Sequence, residues 1–366
     1  MTYNNILGQV IAPGEVTFLN REIVDPAAGK IVVEIVASAI CGSDLHIFKG
    51  KHPSAPLPVT IGHEFSGNVV AIGKGVTTIA VGDKVTVEPV MVCGKCEACR
   101  TGTYGYCENI SFTYRNGDGA MARYITVEEP YVYKLPDNLS YNAGALIEPL
   151  AVAAHAVRRA EVTMGENVVI IGAGAIGLLI AALCKKRGVQ NIAVVDFSAT
   201  RLALAQEYGA SLLLNPAEQD VETALNEWTS GKGAEKSFEC VGLEATFRQA
   251  MMCLRKNGLA TIIGIFEQPE ITIPATRFIT HEIKVQGSQG YCWDFPLAIA
   301  MSEEIDLEKL VTHEFPLSEL KTALETCLDR DAGAIKIILH PLVQNDLAQN
   351  NSVPKSTEQQ LSFFGQ

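Results

Sequence analysis

The stretch from Asn167 to Leu179, NVVIIGAGAIGLL, constrains the fold of this chain more than any other. A short apolar run leads into G-x-G-x-x-G at Gly172, Gly174 and Gly177, with Ile176 inside the pattern, and a helical stretch follows. Alone, a glycine-rich run marks only a tight turn. After a strand and at the opening of a helix it predicts a dinucleotide-binding unit. Gly172 permits the turn, Gly174 lets the backbone approach a pyrophosphate, and Gly177 lets strand and helix pack closely. The helix AIGLLIAALCKKRG is apolar all round, as a buried crossover helix must be, and closes on Lys185, Lys186, Arg187 and Gly188.

The alternation continues through IAVVD, SLLLN, KSFECV, LATIIG and EIKVQG, with helical stretches between them. Strands that recur in this way predict an α/β unit with a doubly wound parallel sheet covered on both faces. IAVVD ends in Asp196, 19 residues after Gly177. A carboxylate there accepts hydrogen bonds from both ribose hydroxyls of NAD and repels a phosphate on the ribose, so NAD is the expected cofactor. The plainer alternative is that Asp196 caps the helix that follows it.

Residues 1 to 153 read differently: IVVEIVASAI, FSGNVVAI and DKVTVEPV are β-branched runs broken by Gly, Pro and Asp. With 366 residues the chain exceeds one compact core. The expected order is a β-rich domain over 1–153, a nucleotide-binding domain over 154–298, and a return to the first domain over 299–342 through the strand AIKIILH. A polar tail over 343–366 follows. The net charge of -12 argues against nucleic acid or an anionic membrane as partner. No apolar run reaches the roughly 18 residues of a membrane span, and MTYNNILGQV lacks the regions of a signal peptide, so the expected location is the cytoplasm.

That location bears on CGKCEACRTGTYGYC, residues 93–107, where Cys93, Cys96, Cys99 and Cys107 have the spacing C-x2-C-x2-C-x7-C. In a reducing compartment close-set thiolates read as a tetrahedral metal site rather than as disulfides. Four sulfurs saturate Zn2+ and leave no open position, so this site is structural. A thioredoxin-like redox pair is the alternative, although Cys93 opens no βαβ helix. Chemistry must lie elsewhere. Cys41 in AICGSDLHIF, His63 and Glu64 in TIGHEFSGNVV, and Glu148 in GALIEPLA supply a thiolate, an imidazole and two carboxylates. Singly, each reads as a core or strand-end residue; together they suit a catalytic zinc, which takes three protein ligands and one exchangeable position.

GHEFSG (62–67), CGSD (41–44), the four-cysteine lobe and the glycine fingerprint together resemble the medium-chain zinc alcohol and polyol dehydrogenases over about residues 30 to 340. GALIEPLA and DFSATRL are most similar to the sorbitol (polyol) branch, with sugar-alcohol-phosphate and butanediol dehydrogenases close by. The resemblance implies a GroES-like β domain joined to a Rossmann domain, and two zinc ions per chain. It makes Cys41 and His63 constant ligands of the catalytic zinc, with Glu64 and Glu148 sharing the remaining coordination. On the same resemblance Asp44 would orient His63, and Ser43 and His46 would form a proton relay that serves hydride transfer from a secondary hydroxyl to NAD. It further implies that Arg201 reaches the adenosine ribose beside Asp196, and that the turns Ile263–Gly264–Ile265 and Ser288–Gln289–Gly290 line the nicotinamide half. The resemblance also implies a homodimer or homotetramer, assembled through the sheet edge EIKVQGS.

Two positions depart from the branch. A tyrosine usually follows the relay histidine, and an arginine precedes the late Tyr-Cys pair; here these are Ile47 and Gly290. The expectation is therefore an NAD-dependent oxidoreductase for a polyol, sugar acid or sugar phosphate other than sorbitol, with Ile47 as an apolar wall and Arg115 or Arg123 within reach of a phosphate. The alternatives are a butanediol or threonine dehydrogenase and, outside enzymes, a zinc- and NADH-binding redox sensor.

Overall fold

A computed structural model describes residues 2–52, 55–113 and 119–341, so Arg115 and the polar tail lie outside the described residues. All six strands of the alternating region form. They make one parallel sheet in the order Leu212–Leu214, Asn191–Val195, Asn167–Ile171, Ala234–Glu239, Leu254–Ile262 and Lys284–Gly287. Numbered along the chain this is 3-2-1-4-5-6, the doubly wound order whose direction reverses beside the strand carrying the glycine turn.

The reason for continuous apolar strands is visible in burial. Val168, Val169, Ile170 and Ile171 are all excluded from water because helices cover both faces. Each such side chain contributes about 1.5–3 kcal/mol relative to exposure. The helix Ala175–Lys186 packs against the helix Ile147–Arg159, and one apolar cluster runs through both, from Ala37 and Leu150 to Leu178, Phe238 and Ile338. The helix Ile147–Arg159 is thus the joint between the two halves. Lys284–Gly287 is the outer strand, with one paired edge among the described residues.

The other half is a mixed sheet in the order Val132–Lys134, Lys84–Val87, Glu64–Ile72, Lys30–Ala39, Lys336–His340 and Val311–Pro316, with Tyr124–Glu128 also paired to Lys30–Ala39. The C-terminal strand lies antiparallel to Lys30–Ala39, pairing Ile338 with Ala39 and Leu339 with Ser38. The last described strand therefore lies beside residues that lead into Cys41. Among the described residues no helix is long and apolar enough to cross a membrane.

Candidate active site

Cys41 precedes the short helix Gly42–Phe48, and Asp44 on that helix folds back to accept the Cys41 N–H at 2.9 Å and the Gly62 N–H at 3.1 Å. The same carboxylate stands 3.7 Å from Nδ1 of His63. One buried aspartate thus ties the segment carrying the thiol to the segment carrying the imidazole, and burial raises its own carboxyl. Donor atoms of Cys41, His63 and Glu64 lie within 4.8 Å of one another. Burial works to lower the His63 imidazole, yet Cys41 and then Asp44 hold it well above its ordinary 6.5. A proton is held where several anionic donors converge, which is the electrostatic demand of a cation site, and the donor set is one that zinc accepts.

Glu148 sits in the first turn of the helix Ile147–Arg159 and is buried. It is not among the three clustered donors. Burial foremost, and Glu64 beside it, raise its carboxyl to about 7, although His63 opposes this. The Tyr291 hydroxyl adjoins it, on a buried ring packed edge-on to Phe295 at 5.0 Å. Glu64 is held by a group the sequence reading missed. Lys336 Nζ lies 2.6 Å from its Oε1 and 2.5 Å from Oε2, and also donates to the Ile40 carbonyl at 3.2 Å. Burial would lower this ammonium, but Glu64 and then Cys41 outweigh it and hold it above 10.5. The signal was present: a lysine inside the apolar run AIKIILH needs a buried anion.

Ser43 and His46 lie three residues apart on the helix Gly42–Phe48, half-buried and on one face. Ile47 corrects an expectation. It is 1% exposed and packs with Ile40, Phe48 and Met121 in the core, so it forms no wall open to the cleft. Tertiary packing is the cause: Ile47 lies one helical turn on from Ser43, and the core around Ile40, Phe48 and Met121 closes over it.

The cysteine lobe brings Cys93, Cys96, Cys99 and Cys107 together, with their sulfurs within 4.8 Å of one another. Backbone N–H groups point at them: Cys96 N–H to Cys93 Sγ, Cys93 N–H to Cys107 Sγ and Asn109 N–H to Cys107 Sγ, each at 3.4 Å. Such donors stabilise thiolates, and those from Lys95 and Cys96 lower Cys93 to about 6. The sulfur spacing and the four-thiol chemistry fit zinc, whose bonds to sulfur are about 2.3 Å. The helix that follows Cys96 spans only Glu97–Arg100, and no βαβ unit opens there.

At the sheet's reversal point, a Cβ on Gly177 would sit 1.9 Å from the Gly172 carbonyl oxygen, whereas one on Gly174 would meet nothing within 4 Å. Protein packing therefore demands glycine at 177, while position 174 opens onto free space of the kind a pyrophosphate fills. Asp196 accepts the Ala173 N–H and the Ser198 N–H, both at 2.8 Å. It does not cap the next helix; Ser198 does, accepting the Arg201 N–H at 3.3 Å. The Arg201 guanidinium donates to the Ala334 carbonyl at 2.6 Å. Ile263 and Gly264 donate their N–H groups to the Glu239 carbonyl, and Ile265 is exposed. Ser288 donates its N–H to Ile262 O, while its buried hydroxyl has no partner among the described residues. Gln289 is exposed, and Gly290 has φ +56° with open space where a Cβ would point. Arg123 is committed to Glu34 at 3.2 Å and lies over the Tyr124 ring, so it is not a free phosphate contact.

Residues 27–137 match the alcohol dehydrogenase GroES-like domain family, and residues 175–304 match the zinc-binding dehydrogenase family. The sorbitol dehydrogenase of Halalkalibacterium halodurans is 34% identical over 333 residues, covering 89% of this chain and 96% of the relative. The D-arabitol-phosphate dehydrogenase of Enterococcus avium is 30% identical over 338 residues, covering 90% and 96%. A protein of Sinorhizobium meliloti described as a zinc-binding dehydrogenase, solved with NADP bound, superposes with a TM-score of 0.87 at 29% identity, over 93% of this chain and all of that one.

Proposed function

The chain belongs to the zinc-dependent medium-chain polyol dehydrogenase family, and from that premise we propose that it moves hydride between NAD and a secondary hydroxyl of a polyol, sugar acid or sugar phosphate. The convergence of Cys41, His63 and Glu64 beside the Ser43–His46 face is the observation that carries this reading. Zinc bound there supplies a Lewis acid that lowers the pKa of an alcohol. A second zinc, in the cysteine lobe, has a purely structural task. Asp44 stands 3.7 Å from His63 Nδ1, so its charge would draw that side of the ring toward it and leave the other nitrogen for the metal. Lys336 restrains Glu64, and Glu148 stands behind with a carboxyl poised near neutrality. Ser43 accepts the hydroxyl proton, and His46 carries it toward solvent. The free space over Gly174 and the turns at 263–265 and 288–290 frame the cofactor.

The choice of NAD rests on Asp196. Both carboxylate oxygens accept backbone N–H groups, so the charge is anchored at the strand end where a ribose phosphate would have to sit. Ten cysteines free of disulfides are in keeping with a reducing compartment, and the location this reading assigns is the cytoplasm. The substrate is a sugar derivative other than free sorbitol. Each neutral hydrogen bond lost from the branch's polyol grip removes about 0.5–1.5 kcal/mol, and the open space at Gly290 admits a bulkier group. Ile47, being buried, contributes the loss of a hydroxyl but no new wall.

The test is kcat/KM across sorbitol, xylitol, galactitol, their phosphates, sugar acids, threonine and 2,3-butanediol, followed at the NADH absorbance. A sugar phosphate or sugar acid as best substrate supports the reading. Sorbitol as best substrate removes the argument from Gly290, and threonine or butanediol as best moves the assignment to small substrates. Tight NADH binding with no turnover on any alcohol would make the protein a sensor.

A further inference from the structure

Glu267 lies just beyond the Ile263–Ile265 turn, in the nucleotide-binding half, and its carboxylate reaches the other half. Its Oε2 accepts from Lys51 Nζ at 2.8 Å, and its Oε1 stands 3.7 Å from Lys49 Nζ and 3.9 Å from Nδ1 of His46. One anion thus faces three basic groups at the C-terminal end of the helix Gly42–Phe48 and the residues after it. An isolated surface ion pair stabilises little. Here two ammonium groups and an imidazole share one carboxylate, so its side chain is ordered once for all three contacts. They meet where the helix's terminal carbonyls already favour positive charge.

We infer that Glu267 is a positioning residue that latches the cofactor-side turn onto the catalytic half and couples opening of the cleft to the state of the relay histidine. This rests on the reading of His46 as the relay's outer member. With the latch closed, Glu267 stands beside the ring and favours its protonated form. With the latch open, His46 keeps only Lys49 and Lys51, which disfavour that form. A proton received from Ser43 while the cleft is closed is therefore released to solvent when the cleft opens for product and cofactor to leave.

Among the described residues, the charged groups that act on His46 are Glu267 from the opposite half, and Lys49 and Lys51 from its own segment. Burial, the largest influence, lowers the imidazole; Glu267 raises it and the lysines lower it further. The signs give the test a signature that a merely structural contact would not produce. In Glu267→Gln, the His46 titration followed by NMR in the NADH complex moves to lower pH. In the Lys49→Gln/Lys51→Gln double variant it moves to higher pH, because repulsion has been removed.

Both variants release NADH faster than wild type in stopped-flow fluorescence, by about two- to fivefold, the range expected for a small exposed network. In about 1 M salt, where the Debye length falls to roughly 3 Å, the wild-type rate rises to meet theirs. If Glu267→Gln changes neither the His46 titration nor the release rate, the inference is overturned. If the titration and release shift as stated but the acid limb of kcat stays in place, the latch stands and the relay role of His46 fails. If that limb also moves to lower pH in Glu267→Gln, both hold.

Discussion

Replacing Lys336 with Met tests the electrostatic frame of the site. Lys336 is 5% exposed and Glu64 1%, and the ammonium bridges both carboxylate oxygens at 2.6 and 2.5 Å. Both charges have left water, so removing the lysine strands a buried carboxylate. Breaking such a pair from one side costs about 3–5 kcal/mol, whereas neutralising both partners is often close to neutral. Lys336→Met should therefore lower the melting temperature by roughly 6–20 °C, taking about 2–4 °C per kcal/mol for a unit of this size. Lys336→Met/Glu64→Gln should recover more than half of that loss. Calorimetry on zinc-stripped protein isolates the chain's own charges; repeating it with zinc shows how much of the stranded charge a cation compensates. The sign with pH is fixed. Lys336 is held above its ordinary 10.5, so the lysine's contribution is complete at neutral pH and is lost as pH climbs through the raised value. The gap between wild type and Lys336→Met should be flat through neutrality and narrow in strong alkali. A loss below about 1 kcal/mol in the single variant, or no recovery in the double, refutes the argument.

Elemental analysis should find two zinc ions per chain. Cys99→Ser should lose stability or assembly by thermal melting, and Cys41→Ser should lose turnover while its melting curve is retained; a Cys99→Ser protein as stable as wild type would disprove the four-thiolate site. NAD should be preferred over NADP by a large factor in kcat/KM, since a phosphate against Asp196 costs several kcal/mol. Equal values for the two cofactors would place Asp196 away from the ribose. The exposed edge of Lys284–Gly287 should be covered by a second copy, giving a dimer or tetramer by light scattering, and a monomer at micromolar concentration would contradict this.

The parts of this molecule that were legible in its sequence are those whose physics is local. Strands covered on both faces read as apolar runs, as Asn167–Ile171 and Asn191–Val195 do, and the regular alternation of strand and helix located the other four of the parallel sheet. Cysteine spacing reports a lobe because the ligands lie within one turn-rich segment. Other features depend on distant neighbours. Ile47 follows the relay histidine in sequence, yet tertiary packing closes the core over it. Arg201 and Arg123 have long side chains whose partners, Ala334 and Glu34, are chosen by tertiary proximity. Lys336 and Glu267 carried no motif. Their meaning comes from what they meet across the chain, and only the packed structure brings those groups together.

The pairing of Lys336 with Glu64 also has a consequence in time. The partners are 272 positions apart, so at a synthesis rate of about 5–20 residues per second the carboxylate waits roughly 15–55 s for its lysine. During that interval Cys41, His63 and Glu64 exist on a nascent chain whose strand Lys336–His340 has not been made, with their negative charge unbalanced. The glycine-turn unit lies wholly between them and can be complete before the ribosome reaches residue 336. The catalytic half is therefore completed after the nucleotide-binding half, and any metal captured before then meets donors still missing their resident cation.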